Sequence, residues 1–93
     1  MNFPKGTPTC IRNKINKEKS SYCNEADVKQ YVFNGRDVYV FNIQSCFADG
    51  GSEVLDQDCN DVCFLGGFGG FTDCEGVNFE NDAEFVQTIW ENN

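Results

Sequence analysis

Two stretches of the chain carry apolar side chains in the manner of strands. Val28-Lys29-Gln30-Tyr31-Val32-Phe33 and Val38-Tyr39-Val40-Phe41-Asn42-Ile43 are rich in β-branched and aromatic residues, and Asn34-Gly35 lies between them. Asn-Gly accommodates the two positive φ angles of a type I′ turn, whose twist suits a hairpin, so the segment predicts two antiparallel strands. Two registers are open. A two-residue loop sets Phe33 opposite Arg36, whereas a loop one residue longer sets Tyr31 opposite Tyr39. A slip of one residue exchanges the buried face, and both faces carry large apolar groups.

Before the hairpin the apolar spacing is helical. Cys10, Ile11, Lys14 and Ile15 share one face. Thr7-Pro8 predicts the start, with Thr7 as N-cap and Pro8 at the first helical position. Polar residues take over near Glu18–Ser21, and residues 22–27, with Cys23, read as a linker. After the hairpin, residues 48–60 are polar and rich in Asp and Gly, which is loop composition. Val62-Cys63-Phe64-Leu65 predicts a third strand. The run Gly66-Gly67-Phe68-Gly69-Gly70-Phe71 reads as a tight loop with its phenylalanines turned inward, because glycine is costly inside helices and strands. Asn81 with Glu84 resembles a capping box. Phe85, Val86, Ile89 and Trp90 then form a stripe, predicting a short helix over about residues 82–90, with Ile89-Trp90 as a closing strand in the alternative.

The expected fold is a small single α+β domain. An N-terminal helix and a short C-terminal helix pack on an antiparallel sheet of about three strands, stapled by disulfides. Residues 9–91 form that domain, and residues 1–8 read as a linker remnant. Met1–Pro8 lacks the apolar stretch of a signal peptide, so an exported chain would have lost its leader. No segment approaches the ~18 apolar residues of a membrane-spanning helix.

Composition adds the staples. Cys10, Cys23, Cys46, Cys59, Cys63 and Cys74 occur in 93 residues that contain no histidine. An even cysteine count in a short chain reads as a disulfide framework, which places the protein outside the cytoplasm: periplasm, cell surface or secreted. A chain this small buries only about 60–65% of its unfolded surface, and each native disulfide in such a domain contributes about 2–5 kcal/mol. Nine phenylalanines give an aromatic core that buries much area with few residues.

The net charge is −8, from 15 acidic and 7 basic side chains, and no Lys or Arg follows Arg36. That acidic half repels phosphate backbones, which argues against nucleic acid as a partner. The cations of the first helix read as a solvated face.

Candidate chemistry is sparse. Without histidine, neither a Ser–His nor a Cys–His pair can form. Cys59 and Cys63 are one residue too far apart for a C-x-x-C motif and lack the second ligand pair of a zinc site. Asp56, Asp58 and Asn60 alternate like the first ligands of an EF-hand loop, but Asp61 and Gly67 stand where Gly and Glu are required. A looser calcium site would draw on Asp49, Asp56, Asp58 or Asp61. The Gly66–Phe71 run lacks the Lys and Ser/Thr of a phosphate loop, so no cofactor is expected. Phe68, Phe71 and Trp90 are the binding-surface candidates. Tyr31, Tyr39 and Trp90 could form an aromatic platform, with core packing the favoured role.

In order, Cys10-Ile11, Ile15, Val28 with Tyr31, Asn34-Gly35, Val38-Tyr39, Cys46, Leu55-Asp56, Cys63, Gly66-Gly67, Asp73-Cys74, Phe79 and Ile89-Trp90 resemble a family of small bacterial secreted or lipoprotein-like domains of unknown function. The resemblance covers about residues 10 to 91. It implies an exported domain with a helix, a hairpin and a glycine-rich cysteine loop, and implies no activity. Members often carry Gly near the position of Cys59, have no regular counterpart of Cys23, and tend to have two adjacent cysteines where this chain has Cys46. If Cys23 and Cys59 are both additions to that pattern, the resemblance implies that they bond each other.

The functional expectation is a non-catalytic binding module. Its partner would be a protein or polysaccharide outside the cytoplasm, with Phe68, Phe71 and the 49–61 loop as the surface and a lost lipid anchor as its tether. The alternatives are an inhibitor of a secreted enzyme, using a disulfide-braced loop as a plug, and a small enzyme acting through Asp and Glu.

Overall fold

A computed structural model describes residues 3–43, 50–67 and 69–92. Helix α1 spans Thr9–Glu18 and continues as a 3-10 turn over Lys19–Ser21. Strands follow at Asp27–Phe33 (β1), Arg36–Asn42 (β2), Gly51–Asp56 (β3), Asp61–Gly66 (β4), Asp73–Cys74 (β5) and Val77–Asn78 (β6). A four-residue helix, α2 (Phe79–Asp82), precedes β7 (Glu84–Glu91). Five strands make one antiparallel sheet in the order β4-β3-β2-β1-β7, and β5-β6 form a small second sheet.

The hairpin forms as the sequence predicts. Asn34 and Gly35 have φ of 53° and 76°, the type I′ pair, and the two-residue loop sets Phe33 opposite Arg36 and Tyr31 opposite Val38. Alternation along β2 then divides the core. Tyr39 and Phe41 join Val28, Leu55, Ile89 and Trp90 on one face, where Ile11 and Ile15 of α1 cover them. Val38 and Val40 join Phe33 and Val54 on the other face, under Cys74 and Phe79. The sheet is thus sandwiched between α1 and the β5-β6-α2 layer.

Four expectations change. Thr7 does not cap α1: its hydroxyl donates to the Pro4 carbonyl at 2.6 Å, and Pro8 takes the N-cap position. Phe3 packs against the helix-side core. The polar stretch read as a loop contains β3, because Val40 pairs with Val54 and Tyr39 with Leu55, burying one apolar residue on each face. The helix expected over residues 82–90 is strand β7, paired with β1 from Asp27↔Glu91 to Val32↔Glu84. Phe85, Val86, Thr88, Ile89 and Trp90 all favour strands, and β7 satisfies backbone groups that β1 would otherwise leave open. Asn81 and Glu84 form no capping box; Asn78 caps α2 instead, its side chain accepting from the Asn81 N–H at 3.0 Å.

Candidate interaction surface

The turn between β3 and β4 gathers Asp56, Asp58 and Asp61. The Asp56 Oδ1 accepts the backbone N–H groups of Asp58 and Asn60, both at 2.9 Å, and its Oδ2 accepts the Asn60 amide at 3.3 Å. These donors favour the ionised form and hold the Asp56 carboxyl below the usual carboxylate range, the Asn60 N–H most strongly. Its lone pairs therefore serve the turn. Asp58 and Asp61 are exposed, Asp49 lies outside the described residues, and no group of three or more carboxylates or cysteines is gathered for a metal among the described residues.

Two disulfides brace this side of the sheet. Cys10–Cys59 ties α1 to the β3–β4 turn, and Cys63–Cys74 ties β4 to β5. The pairing of Cys23 with Cys59 is thereby overturned. Cys59 sits where the β3–β4 turn brings it under the first turn of α1, so Cys10 reaches it and Cys23, beyond the far end of the helix, does not. Cys23 is itself disulfide-bonded, and Cys46 lies outside the described residues.

The glycine-rich loop is closed by reciprocal bonds, Gly66 N–H to the Phe71 carbonyl at 2.6 Å and Phe71 N–H to the Gly66 carbonyl at 3.0 Å. Gly66, Gly67 and Gly70 have φ near +75°, +72° and +62°, which side chains resist. Phe71 points outward, contrary to the inward placement expected of it, because Phe33, Phe79 and Cys74 complete the core on that face. Phe68 lies outside the described residues. Trp90 is no surface residue: it is 6% exposed and meets Tyr22 edge-on at 5.6 Å, with no acceptor for its indole Nε1 among the described residues. Nor do Tyr31, Tyr39 and Trp90 make a platform. Tyr39 and Trp90 are buried under α1, while Tyr31 stands on the opposite face against Phe79 and Phe85.

Among the described residues, the large apolar side chains that reach solvent are the surface candidate Phe71 (59% exposed) and, outside the candidates, Phe85 (56%), Phe64 (46%), Val86 (46%) and Val32 (36%). Phe64 lies on edge strand β4, with Phe71 bridged to its end at Gly66, and Phe85 and Val86 lie on edge strand β7. Phe64, on β4, lies over Gly51, where a Cβ would overlap the ring and stand 2.8 Å from the Leu65 carbonyl. Ile43, Gly51, Glu53 and Phe64 line a cavity of about 250 Å³. Lys14 approaches it from α1, 4.0 Å from Glu53, 3.2 Å from Glu18 and 5.7 Å over the Phe41 ring. Glu18 also accepts from the Tyr22 hydroxyl, whose pKa burial pushes up. At the other edge stand Phe85 and Val86, while the exposed Val32 belongs to the inner strand β1. Sequence reasoning missed this rim because it placed Phe85 and Val86 on a buried helical stripe; the β-branched and aromatic content of residues 85–90 was the available signal.

The match to known families extends from the middle of α1 to the end of β7. The chain belongs to the family described as Domain of unknown function (DUF6970). Its model matches residues 13–92. No curated protein and no solved structure matches the chain. In this DUF6970 domain both exposed edges fall inside the matched span, whereas Cys10 precedes it and is joined to it through Cys59.

Proposed function

We propose that the domain is a non-catalytic binding module that works outside the cytoplasm and engages a protein or a polysaccharide. The observation that carries this reading is the set of exposed large hydrophobics at the two edges of a disulfide-braced sheet, Phe64 and Phe71 at one and Phe85 and Val86 at the other. Grouped apolar side chains in solvent mark interaction sites, and a rigid frame lowers the ordering cost of binding. The disulfides are compatible with an oxidising compartment. A carboxylate-dependent enzyme has less support: Asp56 is shifted downward, away from the direction a general acid at neutral pH needs.

One observation favours the inhibitor reading as a second choice. Phe71 stands exposed on a loop closed by Gly66–Phe71 bonds and bracketed by Cys63–Cys74, the layout of a braced plug.

Both are tested by immobilising the native, unreduced domain and capturing partners from envelope and secreted fractions of its source. The captured partner is then purified and rebound. A triple variant, Phe64→Ser/Phe71→Ser/Phe85→Ser, should lose capture while keeping its Tm. Stoichiometric capture of a hydrolase that loses activity selects inhibition; a polysaccharide or envelope protein selects adhesion. Equal capture by the variant, or none by either, ends the module reading. A free-thiol count on protein from its native cells tests location, and six reactive thiols would overturn it.

A further inference from the structure

We infer that the outer edge of β7 accepts a short, basic, extended polypeptide segment as a sixth strand. This rests on the binding-module reading and gives it a site and a partner chemistry.

The two edges of the sheet are not equivalent. β4 is tied to the β5-β6 layer by Cys63–Cys74, and the chain folds back on its end at Gly66↔Phe71. β7, at eight residues the longest strand, pairs among the described residues with β1 alone. A strand with one neighbour presents a row of unpaired backbone N–H and C=O groups, and protein edges are commonly blunted by Lys, Pro, short length or bulges, of which β7 has only the bulges. β7 has no Lys, no Pro and is not short. Its bulges against β1 turn Ile89 into the core and leave Val86 in solvent. They also bend the strand, so the incoming segment is about four to six residues, an ordinary strand length.

The side chains select the partner. Phe85 and Val86 make the apolar rim on β7, Phe85 on the Tyr31–Phe79 face, while Val32, paired with Glu84, lies on β1 and faces the other way. Carboxylates lie along this edge and on the neighbouring strand and helix. Glu84 and Glu91 close the two ends of β7, Glu80 and Asp82 lie just before it, and Asp37 stands opposite Val32; all are exposed. The cations of the neighbouring hairpin are engaged, Lys29 with Asp27 at 3.8 Å and Arg36 with Glu75 at 2.8 Å. A segment alternating Lys or Arg with apolar residues would pair its backbone, cover the rim and meet the carboxylates. A second copy would bring the same carboxylates to the same edge of a chain already at −8, and like charges across an interface are costly.

The test is to pan a random peptide library against the full-length, unreduced domain at low salt, then titrate the winning synthetic peptides into isotope-labelled protein by NMR. Winners should alternate Lys or Arg with β-branched or aromatic residues and shift the amide signals of residues 84–91. Phe85→Lys or Val86→Lys should weaken them at least about tenfold, an amount equal to about 1.4 kcal/mol, at unchanged Tm. Should a variant fail to fold, the shift map on the unmodified protein decides. Winners that are acidic, or shifts confined to α1 or β4, overturn this site and leave the module reading standing. No enrichment also overturns it, with the capture experiment then judging the module separately. A concentration-dependent dimer that protects the β7 amides would make a second copy the occupant and overturn the basic-segment assignment.

Discussion

Cys59 occupies a position that glycine fits better. The Cys59 N–H donates to the Asp56 carbonyl and the Asp56 N–H to the Asn60 carbonyl, both at 3.0 Å, a turn that leaves Cys59 at φ 66°. A side chain in that region costs about 1–2 kcal/mol relative to a right-handed conformation. The bond to Cys10 spans 49 residues of sequence, and closing a loop of that size removes chain entropy worth about 4 kcal/mol. The disulfide outweighs the strain, so the cysteine persists. Removing the bridge in two ways isolates the strain: Cys10→Ala/Cys59→Gly should exceed Cys10→Ala/Cys59→Ala by about 1 kcal/mol in urea unfolding, and equal midpoints would show that position 59 is unstrained. Asp56, in the same turn, makes a pH prediction. Its folded pKa lies below the ordinary value. Such a carboxyl contributes stability that is complete above its unfolded pKa, about 3.9, and is lost as pH falls through the folded value. Asp56→Ala should therefore melt below wild type at neutral pH, with the gap narrowing as pH drops below about 4. A gap that stays constant into strong acid would mean the carboxylate's charge adds nothing.

At the scale of elements, β7 makes the sharpest claim. A helical stripe would bury Phe85, Val86, Ile89 and Trp90 together; the strand buries Ile89 and Trp90 and leaves Phe85 and Val86 out. Ile89→Ala should cost about 2–4 kcal/mol and Phe85→Ala under about 1 kcal/mol, the usual range away from the core. Comparable large losses in denaturant unfolding at both positions would contradict the strand. The hairpin was legible because Asn34-Gly35 demands a particular backbone. Its register was not, because Tyr39 and Phe41 bury on one face and Val38 and Val40 on the other. α1 was legible through Ile11 and Ile15, which the helix buries on one side. β3 was hidden by its polar neighbours: Val54 and Leu55 suffice for a strand only because β2 lies alongside with Val40 and Tyr39. The exposed rims were legible only in part, through the strand-favouring content of residues 85–90. Whether Phe64 or Phe85 meets solvent depends on which strands end as edges, and that is decided by pairings distant in sequence.

At the scale of the molecule, the Cys10–Cys59 and Cys63–Cys74 bridges both act on the β4 side, one through α1 and one through the β5-β6 layer, while charge is distributed along the chain. Three of the fifteen acidic side chains, Glu18, Glu25 and Asp27, precede Arg36, leaving twelve after it, where no cation occurs. Against this stand four ion pairs among the described residues: Lys14 with Glu18 and with Glu53, Lys29 with Asp27, and Arg36 with Glu75. All are partly exposed, and such pairs contribute about 0–1 kcal/mol each. The radius of gyration is 12.5 Å, and the screening length is about 30 Å at 0.01 M salt but only about 3 Å at 1 M. In dilute buffer, carboxylates therefore repel one another across the whole domain, and salt abolishes that repulsion along with the modest attraction of the pairs. Repulsion involves more charges and should dominate, so Tm should rise with sodium chloride by several degrees, since about 1 kcal/mol corresponds to about 4–8 °C in a domain of this size. Arg36→Gln sharpens the comparison. It deletes the 2.8 Å pair with Glu75 and leaves one more uncompensated carboxylate, so its Tm should start lower and climb more steeply with salt. A wild-type Tm that falls as salt is added would show instead that the local pairs outweigh the global field.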